Sequence, residues 1–142
     1  MPKRKANARW NGDLNNGNGE MAFGSGAYKG NYSFKSRFEN GSGTNPEELI
    51  GAAHAGCYSM ALSGVLAEAG FNPESVSTEA TVSLEIVDGD PAITTITLDV
   101  TANIPGIDAD TFQEHAEGAK KGCPVSKALA GVNIELNATL NN

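Results

Sequence analysis

The sequence predicts a single α+β domain in which an antiparallel sheet packs on one long helix. Three observations carry this. Two long segments alternate apolar and polar residues with period two, one alanine-rich stretch has helical length and a start signal, and short strands separated by Gly/Asn turns fill the first forty residues. The predicted order is βββ–α–ββ–α–β over residues 1–142. At 142 residues, with 39% apolar residues, the chain has the size of one domain and enough apolar surface for a core. Charged residues make up only 19%, which excludes a coiled coil and the highly charged class of disordered chain.

The elements follow in chain order. NGDLNNGNG and GSGAYKGN supply the residues of tight turns, and Ala6 to Trp10, Gly19 to Phe23 and Tyr32 to Phe38 are the expected strands of a small meander. Thr44-Asn45-Pro46-Glu47-Glu48 is a helix start. Asn45 can cap, Pro46 suits the first helical position, and Glu47 and Glu48 favour the positive end of the dipole. The helix is expected to end at Gly70, roughly 35 Å on. Ile50, Ala53, Cys57, Met60, Ala61 and Gly64 recur at three- and four-residue spacings, so this face is expected to pack against another helix or in the centre of the fold. Ser75 to Val87 and Ala92 to Ile104 form the expected hairpin around Asp88-Gly89-Asp90-Pro91, with Ile96, Leu98, Val100 and Ala102 on one side. A second helix is expected from Asp108 to Lys121, a helical turn at Cys123-Pro124, and a last strand from Val132 to Leu140.

Charge and composition narrow the functional classes. A net charge of −7 argues against nucleic acid, which needs a basic surface. MPKRK reads as a solvated tail. No run is expected to reach the roughly 18 apolar residues of a membrane span, and MPKRKANARW has no apolar leader core, so a cytoplasmic protein without a membrane partner is expected. No GxGxxG, Walker A or GxSxG pattern occurs, so nucleotide and hydrolase readings have nothing to rest on.

Two cysteines, Cys57 and Cys123, and two histidines, His54 and His115, remain. They lack the ligand spacing of a zinc site, and no metal is expected. A Cys on a Gly/Ala-rich helical face is most often a small buried hydrophobe. Cys123 precedes a helix start, where free amides favour a thiolate. A structural disulfide and a reactive–resolving pair are the other readings. Separation in sequence does not choose among them, since a bridge requires Cα atoms within roughly 7 Å. A Cys57–His54 pair at i, i+3 lacks a third orienting group, and a helical histidine is more often a surface or hydrogen-bonded residue.

NPEELIGAAHAGCYSMALS, followed about 60 residues later by GCPVSKAL, resembles the signature of the OsmC/Ohr family of thiol-dependent organic hydroperoxide reductases. RWNGDL, SRFENGSGTNPEELIGAAHAGC and IPGIDADTFQEHAEGAKKGCPVSKAL make it more similar to the OsmC branch than to the Ohr branch. The resemblance implies an intertwined homodimer that needs no cofactor and reduces organic hydroperoxides, and hydrogen peroxide more weakly, in oxidative or osmotic stress. It implies that Cys57 is peroxidatic and Cys123 resolving, through a Cys57 sulfenic acid and a Cys57–Cys123 disulfide. It further implies that Arg37 activates the thiol and peroxide, that Glu47 holds Arg37, and that a dithiol, typically a lipoylated protein, is the reductant. The alternative is a non-catalytic redox-sensing or ligand-binding stress dimer. Glu47 and Cys57 lie about 15 Å apart if one helix carries both. In that case Arg37 and Glu47 are expected to serve the Cys57 of a partner subunit.

Overall fold

The computed structural model describes residues 1–142, which divide into two compact units, Met1–Leu49 and Ile50–Asn142. In the first, β1 (Ala6–Asn11), β2 (Asn18–Phe23) and β3 (Lys29–Tyr32) form an antiparallel meander in the order β1-β2-β3. Trp10, Gly19 and Tyr32 are in register across it, and the Trp10 and Tyr32 rings lie 5.2 Å apart. Gly19 is required there. A Cβ would stand 2.5 Å from Tyr32 Cε1 and 2.7 Å from Trp10 Cε3.

The third strand differs from expectation. Tyr32–Phe38 is not continuous strand, because β3 ends at Tyr32 and α1 (Phe34–Phe38) follows. The alternation of Tyr32, Phe34, Ser36 and Phe38 suggests period two, but Phe34 and Phe38 are also i, i+4 and stack at 4.9 Å. A capping box decides the conformation. Ser33 Oγ accepts from the Ser36 amide, and Ser36 Oγ accepts from the Ser33 amide.

Helix α2 (Pro46–Glu68) begins where the cap signal placed it, with Asn45 Oδ1 accepting from the Glu48 amide at 2.8 Å. It stops at Gly70, whose φ of +92° turns the chain so that the Phe71 amide reaches the Leu66 carbonyl. Two expectations about this helix are corrected. At 23 residues, with a mean hydropathy of 1.4 over its most apolar stretch, α2 is long and apolar enough by length and composition to cross a membrane. Leu, Ile, Val, Met, Cys and Ala account for this, and the core helix of a soluble protein meets the same criterion. Nor does the Ala53–Cys57–Met60–Gly64 face form the core. The bulkier side chains do: Tyr58, Leu62 and Leu66 are buried, as is His54, whereas Ala53 and Gly64 are exposed and Met60 is 78% exposed.

In the second unit β4 (Ser75–Val87) and β5 (Asp90–Asn103) form a long hairpin. Asp88 and Gly89, at φ of +52° and +86°, make a two-residue turn that suits strand twist. Pro91, expected in the turn, lies in β5 beyond the residues that β6 pairs, so its missing N–H breaks no ladder on that side. β6 (Asn133–Leu140) then pairs with β5 in parallel, giving the order β4-β5-β6. The expected all-antiparallel sheet is therefore two three-stranded sheets, of which the second is mixed. The stretch between β5 and β6 contains α3 (Ala109–Gly122) and α4 (Pro124–Ala128), long enough for the crossover that parallel pairing requires. Ile96, Leu98, Val100 and Ala102 of β5 pack with Tyr58, Leu62 and Leu66 of α2 and with Phe112 and Ala119 of α3.

Candidate active site

Each unit assembles part of the expected set. In the first, Ser36 Oγ donates to the Thr44 carbonyl at 2.7 Å, and Asn45 Nδ2 donates to the Ser36 carbonyl at 2.9 Å. These bonds fasten α1 to the start of α2, and so bring Arg37 to Glu47. Arg37 donates from Nε and Nη2 to Glu47 Oε1 at 3.1 and 2.8 Å. Charge-assisted bonds of this kind are among the stronger protein hydrogen bonds. Glu47 Oε2 is buried without a protein partner, and the Arg37 guanidinium also stands 5.4 Å from the Phe38 ring centre. Beside Arg37 a cavity of about 360 Å³ is walled by Trp10, Leu14, Tyr32, Phe34 and Phe38.

In the second unit Cys57, midway along α2, meets Cys123, the single residue between α3 and α4. Cys123 closes α3 through its amide to the Ala119 carbonyl and begins α4 ahead of Pro124. The two sulfurs are 2.9 Å apart and both cysteines are free thiols. Cys123 is fully buried, whereas Cys57 is only partly so. Two polar contacts fix α2 against the crossover. Tyr58 Oη donates to the Ala116 carbonyl at 3.0 Å, and His54 Nε2 lies 2.8 Å from Ser126 Oγ.

The surroundings treat the two sulfurs differently. Burial and the neighbouring Cys123 push the Cys57 thiol up, offset only in part by the Val125 amide. Burial opposes ionisation of Cys123 as well, but the bond from Cys57, the amides of Ser126 and Val125 and the Ser126 hydroxyl outweigh it, so Cys123 is the more acidic. A reactive Cys57 thiolate needs a cation from beyond its immediate neighbours.

His54 is neither a surface residue nor Cys57's partner, because its ring bonds Ser126. His115 Nδ1 lies 2.8 Å from the Thr111 carbonyl of its own helix. Sequence reasoning passed over Ser126. Its only signal was its position in the CPVS run, three residues after Cys123.

Comparison with known proteins bears on this arrangement. The family model for OsmC-like proteins matches residues 39–137, a span running through both units and covering Glu47, Cys57 and Cys123. The chain is 53% identical over 127 residues to "Peroxiredoxin OsmC" of Escherichia coli, covering 89% of each chain. It is 33% identical over 101 residues to an "Organic hydroperoxide resistance protein" of Xanthomonas axonopodis pv. citri, covering 70% of this chain and 68% of the relative. The crystal structure of the organic hydroperoxide resistance protein OhrB of Bacillus subtilis superposes with a TM-score of 0.69 at 26% identity, covering 96% of this chain and 98% of that one. With the family match spanning both units and the similarity to the E. coli protein covering nearly the whole chain, this protein belongs to the OsmC-like family.

Proposed function

We propose that the protein is a thiol peroxidase that reduces organic hydroperoxides to alcohols in defence against oxidative or osmotic stress. The observation that carries this reading is the 2.9 Å approach of two free thiols 66 residues apart in sequence, one partly accessible and one buried. The chain's relatives bear the names peroxiredoxin and organic hydroperoxide resistance protein.

Cys57, the accessible sulfur, is the peroxidatic residue. Ionised beside the Arg37 guanidinium, Cys57 attacks the terminal peroxide oxygen as a thiolate. An S–O bond forms, the O–O bond breaks, and the alkoxide leaves to be protonated to the alcohol. Arg37 stabilises both the thiolate and the charge on the departing oxygen. Glu47 orients Arg37, and its free Oε2 is an acceptor for the peroxide hydroxyl. The aromatic cavity beside Arg37 supports a preference for an organic substituent over hydrogen peroxide. Cys123 then displaces water from the Cys57 sulfenic acid to form the disulfide, and a dithiol, for which a lipoylated protein is chemically suited, reduces it.

The working unit in this reading is a cytoplasmic homodimer. Helix α2 is unbroken from Pro46 to Glu68, so Glu47 and Cys57 are separated by about 15 Å along its axis. Arg37 and Glu47 of one subunit therefore serve the partner's Cys57, across a two-fold axis at the exposed Ala53–Gly56–Met60–Gly64 face.

The test is turnover. Reduced protein with cumene hydroperoxide and excess dithiothreitol is expected to consume many equivalents of peroxide, at a higher kcat/KM than for hydrogen peroxide. Consumption of a single equivalent without cycling would make it a redox sensor, and normal turnover by Cys57→Ser would sink the assignment of Cys57.

A further inference from the structure

Four asparagines are followed by glycine: Asn11, Asn16, Asn18 and Asn40. Such a pair carries its own chemistry. The backbone nitrogen of the second residue can attack the side-chain amide carbon of the first, and glycine leaves that nitrogen sterically open. Attack requires a backbone N–H that is not already committed to an acceptor. Three of the four are committed. Gly17 donates to the Asp13 carbonyl and Gly41 to the Lys35 carbonyl, both at 3.0 Å. Gly19 lies in the central strand β2. The bond from the Phe23 amide to the Tyr28 carbonyl sets the alternation of the β2–β3 ladder, which makes Gly19 and Tyr32 a hydrogen-bonded pair.

Gly12 is the exception. The bond from the Gly24 amide to the Lys5 carbonyl sets the β1–β2 ladder, in which Asn11 and Asn18 are the last hydrogen-bonded pair. The chain then leaves the sheet at Gly12, with φ of +91°, and the Gly12 N–H has no acceptor. Asn11 is exposed, and its Oδ1 accepts from Arg9 Nε at 3.2 Å. That oxygen takes up charge when the amide carbon becomes tetrahedral, so the guanidinium stands where the charge develops. Asn16 has the opposite neighbour. Its Nδ2 lies 3.4 Å from the Asp13 carboxylate, whose charge opposes an oxyanion.

We propose that Asn11 is a site of spontaneous modification: its side-chain amide closes onto the free Gly12 nitrogen, with Arg9 stabilising the oxyanion, and becomes aspartate or isoaspartate in the wall of the Arg37 cavity. The Gly12 nitrogen loses its proton and bonds to Asn11 Cγ. The Cγ–Nδ2 bond breaks, and the amide nitrogen takes up a proton and leaves as ammonia. Water then opens the resulting succinimide at either carbonyl, giving aspartate or isoaspartate. No atom is oxidised or reduced. Trp10 and Gly12, on either side of Asn11, both line the cavity beside Arg37. Isoaspartate lengthens the main chain between them, and either product brings a carboxylate to Arg9. None of this chemistry depends on the peroxidase reading.

The test is a timed incubation of the folded protein at mildly alkaline pH, followed by digestion at acid pH and fragmentation mass spectrometry to locate each converted asparagine. Asn11 is expected to gain the mass of an amide-to-acid conversion at least about fivefold faster than Asn16, Asn18 or Asn40, whose glycine amides must first break a hydrogen bond. In guanidinium chloride, where no such bond survives, the four rates are expected to converge to within about twofold. Arg9→Met, at an exposed strand position, is expected to slow Asn11 about fivefold in the folded protein only. Trp10 is the chain's only tryptophan, so its fluorescence is expected to shift in step with the conversion, and to stay constant over the same period in Asn11→Gln. Equal or faster conversion of any of the other three in the folded protein overturns the proposal. So does an order that is the same folded and unfolded, or an Arg9→Met protein that converts at the wild-type rate. A constant Trp10 signal in protein whose Asn11 has converted overturns the claim on the cavity wall.

Discussion

Arg37 directs two N–H groups at one oxygen of Glu47, and the other oxygen of that carboxylate is buried without a protein partner. The guanidinium is thereby fixed in orientation, and one carboxylate oxygen is left without a hydrogen-bond partner. Glu47→Gln keeps the shape and removes the charge. Because Arg37 is 35% exposed, the variant is expected to lose at most about 1 kcal/mol of stability. Its kcat/KM for cumene hydroperoxide is expected to fall roughly 10- to 100-fold as Arg37 loses its alignment. Stopped-flow kinetics beside a thermal melt separate the two effects, and an unchanged kcat/KM would remove Glu47 from the site.

The two cysteines differ in exposure, and their variants are expected to fail differently. Cys57→Ser consumes no peroxide. Cys123→Ser reduces one equivalent, stalls, and accumulates over-oxidised Cys57 unless an external thiol intervenes. Intact-mass spectrometry after graded peroxide addition distinguishes them. Over-oxidation confined to Cys123 in the wild-type protein would reverse the assignment.

Leu62 and Met60 are neighbours on α2 with opposite surroundings, fully buried and 78% exposed. Leu62→Ala is expected to cost about 2–5 kcal/mol through the cavity it leaves. Met60→Lys is expected to leave the circular dichroism spectrum unchanged yet weaken self-association at least about tenfold, by placing charge on the face at which the proposed dimer joins. Sedimentation equilibrium measures this. Undiminished association would move the interface away from that face.

His54 also links stability to pH. Burial lowers its pKa in the folded state, so between that value and the ordinary value near 6.5 the unfolded chain binds the extra proton. Stability from this source is full above about pH 6.5 and falls as the solution is acidified towards the folded value, by at most about 1.4 kcal/mol per pH unit. Chemical denaturation from pH 7.5 down to pH 5 is expected to show the decline, and His54→Gln to flatten it. Equal slopes in the two proteins would contradict a neutral buried ring.

Local signals in the chain marked the hairpin, the Asn45–Pro46 start and the Gly70 stop of α2, and the inward row of β5. Each of these is set by neighbours in sequence. The errors arose where two local patterns competed or where the answer lay across the fold. Phe34 and Phe38 satisfy both strand and helix spacing, and the Ser33–Ser36 box settled the matter. On α2 a stripe of small residues suited either the centre of the fold or close approach by another helix, and larger side chains three and four residues apart took the centre. The Cys57–Cys123 contact spans 66 residues and the His54–Ser126 contact 72, distances over which periodicity carries no information. Motif resemblance anticipated the first, while the second emerged only from the coordinates.

The separation of the two thiols along the chain has a thermodynamic consequence of its own. A cross-link between them closes a 66-residue loop containing β4, β5 and α3. In the chain-entropy account, a loop of that length withdraws roughly 4 kcal/mol of freedom from the denatured chain. Linkage runs both ways. A Cys57–Cys123 bond formed under peroxide would tighten the second unit against unfolding, and a folded second unit would make that bond correspondingly harder to reduce than the same bond in an unfolded chain. The oxidation state of this protein and its resistance to denaturation are therefore a single coupled variable.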